Sequence, residues 1–331
     1  MIGWIMALRN MLFDSGLITQ HKLRDRVVAI GNLSVGGTGK TPHTLFVGTL
    51  LSQKATVAVL SRGYGRKSSG FRRVDPMDSA EVVGDEPLMI KRRKPEWTVA
   101  VCESRVQGAH KLGALQKPEI LLLDDAYQHR QIDRDLNILL TRFDAPFTKD
   151  RPMPVGRLRE PQEGAKRADI CIVTHCTEDC TKEAQSELKK RIAHFTKAPV
   201  FFSRMRSNGL QDANGEVKAE GGKALLLAGI AKPASFSAHM KGLYQEIEFE
   251  DLFFSDHHRF SKKEIRSIIE AAKRNGSRII TTEKDHARLP RELIEHPSLA
   301  ICYESIEVEL LEGQVLFEKI LNDKLRFSQA V

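Results

Sequence analysis

The chain has 331 residues, long enough for two domains, and 41% hydrophobic with 28% charged residues is the composition of a folded protein, which excludes a disordered one. Its formal charge of +8 points to anionic partners: nucleic acid, a phosphorylated substrate or an anionic bilayer. With aromatics at only 6% and no RNP-type aromatic signature, a base-stacking nucleic-acid surface is not expected.

The first thirteen residues, Met1 to Phe13, are too short and interrupted to span a bilayer, which takes ~20 apolar residues. They also lack the basic start and small-residue cleavage site of a signal peptide. They read as an amphipathic helix within an N-terminal segment 1–21, with Ile5, Leu8 and Leu12, joined by Trp4 and Met11, on a broad apolar face. Arg9 and Asn10 fall outside that face. Two readings stay open here: a helix lying in a membrane interface with Trp4 and Phe13 as anchors, or one packing on the protein's own sheet.

Next comes the apolar run Val27-Val28-Ala29-Ile30, followed by Gly31-Asn32-Leu33-Ser34-Val35-Gly36-Gly37-Thr38-Gly39-Lys40-Thr41-Pro42. A buried strand feeding a glycine-rich loop that ends in Gly-Lys-Thr, with a helical pattern after it (Leu45, Phe46, Leu50, Leu51), is the arrangement of a P-loop. Residues Ser34, Val35, Gly36, Gly37, Thr38, Gly39, Lys40 and Thr41 would cradle phosphate. Lys40 would reach the β- and γ-phosphates, and the Thr41 hydroxyl would sit on Mg²⁺. Ser34 stands where the usual pattern has glycine, and Gly36 and Gly37 supply other places for close approach. A nucleoside triphosphate is therefore the first ligand to expect. The plainer reading is a glycine-rich strand-to-helix turn.

Apolar runs at Thr56–Leu60, Thr98–Val101, Ile120–Leu123, Leu136–Leu140, Ile170–Val173 and Val200–Phe202 alternate with helix-compatible segments. This predicts a mostly parallel α/β sheet of P-loop NTPase type over 22–203, covered on both faces. The third run delivers Asp124 and Asp125 at its end, as a Walker B strand delivers carboxylates toward Mg²⁺. Turn signals then mark 204–222 as a hairpin-like linker: Asn208-Gly209, Asp212 to Gly215, and Gly221-Gly222. Beyond it, Ala224–Ala228, the helical Glu264–Lys273, Arg278–Thr282 and Leu299–Tyr303 predict a smaller α/β domain over 223–331. Five cysteines, an odd number with no Cys-x-x-Cys pair, argue against a disulfide framework and for a reducing cytoplasm. Cys171, His175, Cys176 and Cys180 cluster, but Cys171 lies in an apolar run and would point into a core, so zinc is not expected.

Seven landmarks, in order and spread over nearly the whole chain, resemble those of the tetraacyldisaccharide 4′-kinases of lipid A biosynthesis. They are Gly31 to Pro42, Ser61-Arg62-Gly63-Tyr64-Gly65, Gly84-Asp85-Glu86-Pro87, Asp124-Asp125-Ala126-Tyr127-Gln128-His129, Gly156-Arg157-Leu158-Arg159-Glu160-Pro161, Asp256-His257-His258 and Thr282-Glu283-Lys284-Asp285. The chain departs from the family in three places. Ala126 stands where glycine is usual, Met153-Pro154-Val155-Gly156-Arg157-Leu158 replaces a Pro-Ala-Gly-Pro-Leu pattern, and the N-terminal helix is shorter.

The resemblance implies transfer of the ATP γ-phosphate, with Mg²⁺, to the 4′-hydroxyl of tetraacyldisaccharide 1-phosphate, giving lipid IVA at the cytoplasmic face of the bacterial inner membrane. An alcohol is a poor nucleophile, so such a site needs in-line positioning, charge neutralisation and a base. The resemblance assigns the base to Asp85, assisted by His257. It also implies phosphate-gripping roles for Arg105 and Arg159 and a place near the metal shell for Glu160. From the residues alone Glu86 is an equal candidate for the base, and Asp256 could simply cap a helix. With His257 in the second domain and Asp85 in the first, the site should lie between domains that close on a hinge. Partners would be the lipid substrate and an anionic membrane surface; no nucleic acid and no obligate protein partner is indicated.

A P-loop switch or chaperone is the alternative from another class. It would need Asp-x-x-Gly after the Walker B strand and Asn/Thr-Lys-x-Asp for guanine; Asp124-Asp125-Ala126-Tyr127 lacks the glycine, and Thr282-Glu283-Lys284-Asp285 has its lysine one place late. A metal-dependent phosphoesterase built on Asp256-His257-His258 would leave the P-loop without a purpose.

Overall fold

Strands that are apolar end to end require cover on both faces, and the structure supplies it. A computed structural model describes residues 2–212, 215–218 and 221–327, with side chains from Ile5 onward. The first half runs α1 (Ile2–Asp14), β1 (Arg26–Asn32), α2 (Lys40–Ser52), β2 (Val57–Ser61), β3 (Arg72–Arg73), α3 (Ala80–Val83), α4 (Asp85–Arg93), β4 (Thr98–Val101), α5 (Arg105–Gln116), β5 (Ile120–Asp124), β6 (Leu136–Arg142), β7 (Ile170–Thr174) and α6 (Lys182–Ala193). The second runs β8 (Val200–Asp212), β9 (Gly215–Val217), β10 (Gly222–Ala228), α7 (Pro233–Leu243), β11 (Ile247–Phe253), α8 (Lys262–Arg274), β12 (Arg278–Thr282), α9 (Glu283–Arg288), α10 (Arg291–Ile294), β13 (Ala300–Leu310) and α11 (Gln314–Leu325).

Among the described residues thirteen strands form one sheet in the order β11-β10-β12-β13-β8-β7-β6-β1-β5-β2-β4-β3, with β9 on β8. The mostly parallel α/β fold expected from the sequence is present. Side chains alternate across each strand. Val28 and Ile30 of β1 join a core with Leu45, Val47 and Leu51 of α2 and Leu88 and Ile90 of α4, while Val27 and Ala29 join Ala109 and Leu112 of α5. Strand β1 pairs parallel with β5 on one side and β6 on the other, and the chain order diverges there. Crevices at such a switch point, outside the carboxyl ends of the strands, are where open α/β sheets bind ligands.

Two expected boundaries differ from the structure. The 204–222 segment is not a free linker between sheets: residues 200–202 of β8 pair parallel with β7, and the same strand continues, antiparallel to β13, from Ser203 opposite Leu310 to Gln211 opposite Tyr303. The predicted hairpin exists as β8 with β9. Turn residues such as Asn208-Gly209 mislead because a long twisted ribbon also accommodates glycine. Helix α11 likewise leaves the C-terminal unit. Its Phe317, Leu321 and Leu325 are buried in the first core, where Phe317 packs against Phe46 and Phe201.

Helix α1 forms as expected but turns its apolar stripe outward: Ile5, Leu8 and Met11 are 60%, 56% and 57% exposed. Leu12 of the same face is half-buried, so most of that stripe, though not all of it, faces away from the sheet. The polar side docks instead, with Asn10 donating to Glu160 Oε2 (2.6 Å) and Arg130 donating to Asn10 O (2.9 Å) and Asp14 (2.7 Å). Phe13, expected as an interface anchor, is buried in the protein between the guanidinium groups of Arg9 and Arg130. The Trp4 side chain lies outside the described residues. Among the described residues no helix is long and apolar enough to cross a membrane.

Candidate active site

The loop after β1 has the shape its residues demand. Asn32 Nδ2 donates to Thr38 Oγ1 (2.8 Å), closing the loop on itself. Gly39 caps α2 in the left-handed region (φ 76°), a conformation that strains any residue with a side chain, which is why glycine stands here. Lys40 and Thr41 then open α2, whose unpaired N–H groups form a ready anion site. Ser34 bridges to Leu158, Val35 N donates to Arg157 O (2.8 Å) and Arg159 N to Leu33 O (2.7 Å). The Gly156 to Pro161 landmark thus runs antiparallel to the loop. Val35, Gly36 and Gly37 are exposed, and Arg142 holds the Gly37 carbonyl (2.9 Å).

Register places the acids. Asp124, the last residue of β5, lies opposite Ile30, so its carboxylate emerges beside the P-loop. Thr44 Oγ1 donates to its Oδ1 (2.9 Å), and its buried Oδ2 has no hydrogen-bond partner among the described residues. Burial first, then the charges of Glu86 and Asp125, push the Asp124 carboxyl well above the ordinary range. An unpartnered, buried, electron-rich oxygen at this place fits a hard divalent cation. Asp125, in the left-handed region (φ 46°), is already engaged by Arg159 (3.0 Å) and Lys40 (3.8 Å). Arg105 is buried behind the acids, with NH1 donating to Cys102 O (3.2 Å) and NH2 to Asp124 O (3.3 Å); burial lowers its pKa to about 10 against the pull of Asp124 and Asp125.

The second constellation sits at the start of α4. Gly84 (φ 92°) nests against Gly63, where a Cβ would stand 3.1 Å from the Gly63 Cα, and this close approach joins the Tyr64 loop to the Asp85 turn. Asp85 opens α4, where a carboxylate is favoured by the helix dipole. His257 (φ 56°) reaches across from the loop after β11, placing Nδ1 2.9 Å from Asp85 Oδ2, and the Tyr64 ring stands 5.6 Å from its own. The Asp85 contact raises the His257 pKa above the usual value, against the effect of partial burial. For Asp85, burial opposes the charge, but the contacts with His257 and the nearby Lys284 and Arg288 outweigh it and hold the carboxyl below its ordinary value. Glu86, the other candidate base, faces Lys284 (3.7 Å), and its charge acts on Asp124, an electrostatic link between the two constellations. The sequence reading gave no role to Lys284, Thr44 or Tyr64. Lys284 and Tyr64 lie within quoted landmarks, but Thr44 had no signal beyond its helical position.

One expected site residue belongs elsewhere. Glu160 is fully buried, and its oxygens are taken by Arg167 (2.7 and 2.8 Å), Gln128 (3.0 Å) and Asn10 (2.6 Å), so it carries α1 instead of a metal shell. The motif neighbours diverge at a bend in the chain: Arg159 turns to Asp125, while the next residue, Glu160, turns to Arg167 and Asn10. Glu160→Ala is expected to leave Arg167 buried without its partner and to cost about 3 to 5 kcal/mol in urea unfolding. An unchanged midpoint would contradict this placement. All five cysteines are free and buried, and among the described residues no group of three or more His, Cys, Asp or Glu is set to hold a metal.

Residues 1–326 match the family profile described as tetraacyldisaccharide-1-P 4′-kinase. A tetraacyldisaccharide 4′-kinase of Flavobacterium psychrophilum is 45% identical over 300 residues, 88% of this chain and 85% of that protein. One from Bacteroides thetaiotaomicron is 39% identical over 337 residues, covering 94% of this chain and 87% of that protein. The fold is similar to the crystal structure of "apo" form LpxK from Aquifex aeolicus in complex with ATP, with a TM-score of 0.78 at 29% identity over 98% of this chain and 96% of that one. A P-loop faced by two acids, a third acid paired with histidine, and a match running the length of the chain lead to one conclusion: this chain belongs to the tetraacyldisaccharide-1-P 4′-kinase family.

Proposed function

We propose that the protein transfers the γ-phosphoryl group of ATP to the 4′-hydroxyl of tetraacyldisaccharide 1-phosphate, a step of lipid A biosynthesis. Two observations support this reading: the Lys40, Asp125 and Arg159 cluster at the P-loop, and the Asp85–His257 pair, whose neighbour Glu86 acts electrostatically on Asp124. Asp85 takes the proton from the 4′-hydroxyl as its oxygen bonds to Pγ; the bond from Pγ to the bridging oxygen breaks, and its electron pair leaves with ADP. His257 orients Asp85 and stabilises its charge. Lys40 and the N–H groups at the start of α2 neutralise charge that builds on the phosphoryl oxygens. Arg159, held against Asp125 at the mouth of the P-loop, is placed to grip a phosphate with the free edge of its guanidinium. Arg105 keeps the acids in position from behind. Thr41 and Asp124 are the residues to hold Mg²⁺, which when bound neutralises the phosphate oxygens.

The test is direct. Purified protein given labelled ATP, Mg²⁺ and detergent-dispersed tetraacyldisaccharide 1-phosphate is expected to yield a bis-phosphorylated lipid, and ATP hydrolysis without lipid labelling would sink the reading.

We further read the outward stripe of α1 as the contact with an anionic membrane surface on the cytoplasmic side, since a soluble protein gains nothing by exposing three large apolar side chains in a row. An Ile5→Ser, Leu8→Ser, Met11→Ser variant leaves the Asn10, Asp14 and Phe13 docking intact. It is expected to bind anionic liposomes at least about tenfold more weakly, each apolar side chain contributing on the order of 1 kcal/mol, and to show a higher KM for lipid with KM for ATP unchanged. Unaltered liposome binding would move the interface elsewhere.

A further inference from the structure

The Asp85–His257 pair has a third neighbour that no motif assigns. Lys284, on the first turn of α9, places Nζ 3.3 Å from His257 Nε2, the ring nitrogen facing away from Asp85. Its other neighbours are all acids: Glu86 at 3.7 Å, and Asp85 and Asp256 at 3.8 Å each. The lysine is held there by a rigid mount. Thr282 caps α9 by accepting from Asp285 N, Asp285 is fully buried and accepts from Gly229 N (3.0 Å), and Glu283 pairs with Arg93 at the far end of α4 (2.8 Å). The first turn of α9 is thereby tied to both ends of α4, Glu283 to Arg93 and Lys284 to Asp85.

An ammonium group has three donors and no acceptor, so an imidazole nitrogen beside it must accept. With Nδ1 2.9 Å from Asp85 Oδ2, close but not aligned as a hydrogen bond, and Nε2 3.3 Å from the Lys284 ammonium, neutral His257 suits both neighbours with its proton on Nδ1 and its lone pair on Nε2. A proton on Nε2 would set two donors against each other 3.3 Å apart, and in the imidazolium two cations, with Asp256 Oδ1 at 3.8 Å as the nearest relief.

We propose that Lys284 is a positioning residue of the phosphoryl-transfer site: it fixes the His257 tautomer and keeps Asp85 ionised for removal of the acceptor's hydroxyl proton. This rests on the kinase reading above for what the pair does, but not for the geometry that Lys284 imposes on it. The groups that face the imidazole and its carboxylate are Asp85 and Glu86 from α4, Asp256 from the same loop, Lys284 and Arg288 from α9, and the uncharged ring of Tyr64. Lys284 thus supplies the positive charge that opposes a second proton on His257 and favours the charge on Asp85. Removing it moves the protonation of both groups to higher pH.

Lys284→Met is expected to lower kcat/KM at neutral pH by about 10- to 100-fold, with the acid limb of the pH profile displaced upward and activity partly recovered at higher pH. Lys284→Arg, which keeps the charge and donors, is expected to restore the profile. Side-chain ¹⁵N NMR of His257 reads the same claim without any turnover: protonated Nδ1 and unprotonated Nε2 in the parent protein at pH 7 to 8, and mixed tautomers or imidazolium in Lys284→Met. A pH profile and a His257 spectrum in Lys284→Met that both match the parent protein would overturn the proposal. So would an activity loss in Lys284→Met that Lys284→Arg does not relieve while the spectrum stays unchanged. Absence of lipid phosphorylation by the parent protein would count against the kinase reading, and the NMR comparison would still decide the role of Lys284.

Discussion

Lys40→Ala is expected to lower kcat/KM for lipid phosphorylation by about 10³-fold, equivalent to ~4 kcal/mol of transition-state stabilisation. Lys40 begins α2 with its ammonium beside Asp125 (3.8 Å), at the place where charge accumulates on the transferring phosphoryl group. No other described lysine contacts the Asp124–Asp125 carboxylates, and Arg159 already pairs with Asp125. The substitution leaves the buried face of α2 untouched, Leu45, Val47 and Leu51 included, so unfolding should change by no more than about 0.5 kcal/mol. A well-folded Lys40→Ala protein with near-normal turnover would remove the P-loop from the mechanism.

The second large effect is expected at the acid pair. If Asp85 takes the hydroxyl proton, Asp85→Asn lowers kcat by about 10² to 10⁴ while KM for ATP stays close to that of the parent protein, because the P-loop is formed by other residues. His257→Ala should lower kcat as well, and the double variant should be little worse than Asp85→Asn alone, since residues that act as a unit lose their effect together. The pH dependence carries a sign. His257 helps hold Asp85 below its ordinary pKa, so the parent enzyme keeps an ionised base well into mildly acidic pH, and His257→Ala should move the acid limb upward. Independent, multiplicative losses in the double variant, or an acid limb that does not move, would separate the two residues.

Much of this was legible in the chain itself. Runs such as Val27 to Ile30, Thr98 to Val101 and Ile120 to Leu123 are buried on both faces, and a strand of that kind has few other places to go. The Gly31 to Pro42 loop announced itself because phosphate binding needs glycines and a lysine at fixed backbone offsets, a constraint that is local in sequence. The seven landmarks carried the family, and the structure brings Asp85 and His257 together as the resemblance implied.

What local pattern could not decide were partnerships between distant segments. Glu160 follows Arg159 directly, yet its carboxylate is sequestered under α1 by Arg167 and Asn10 while the arginine faces Asp125; only the folded path of that bent segment beside the P-loop separates them. The apolar stripe of α1 is the same whether it faces a core or water, and its direction was settled by polar anchors more than a hundred residues away, Arg130 and Glu160. The turn signals within 204–222 were real, but β13 supplied a partner strand that converted an apparent linker into part of a continuous sheet. Lys284 gained its meaning in the same way. Nothing in its own neighbourhood along the chain says that α9 will be clamped to α4, and it is that packing, through Arg93 and Glu283, that sets an ammonium group against His257. Hydrophobic period and glycine placement determined the elements and the phosphate loop, because those depend on near neighbours. Charge pairing across the sheet determined the rest, because its energy depends on distances that exist only once the chain has folded.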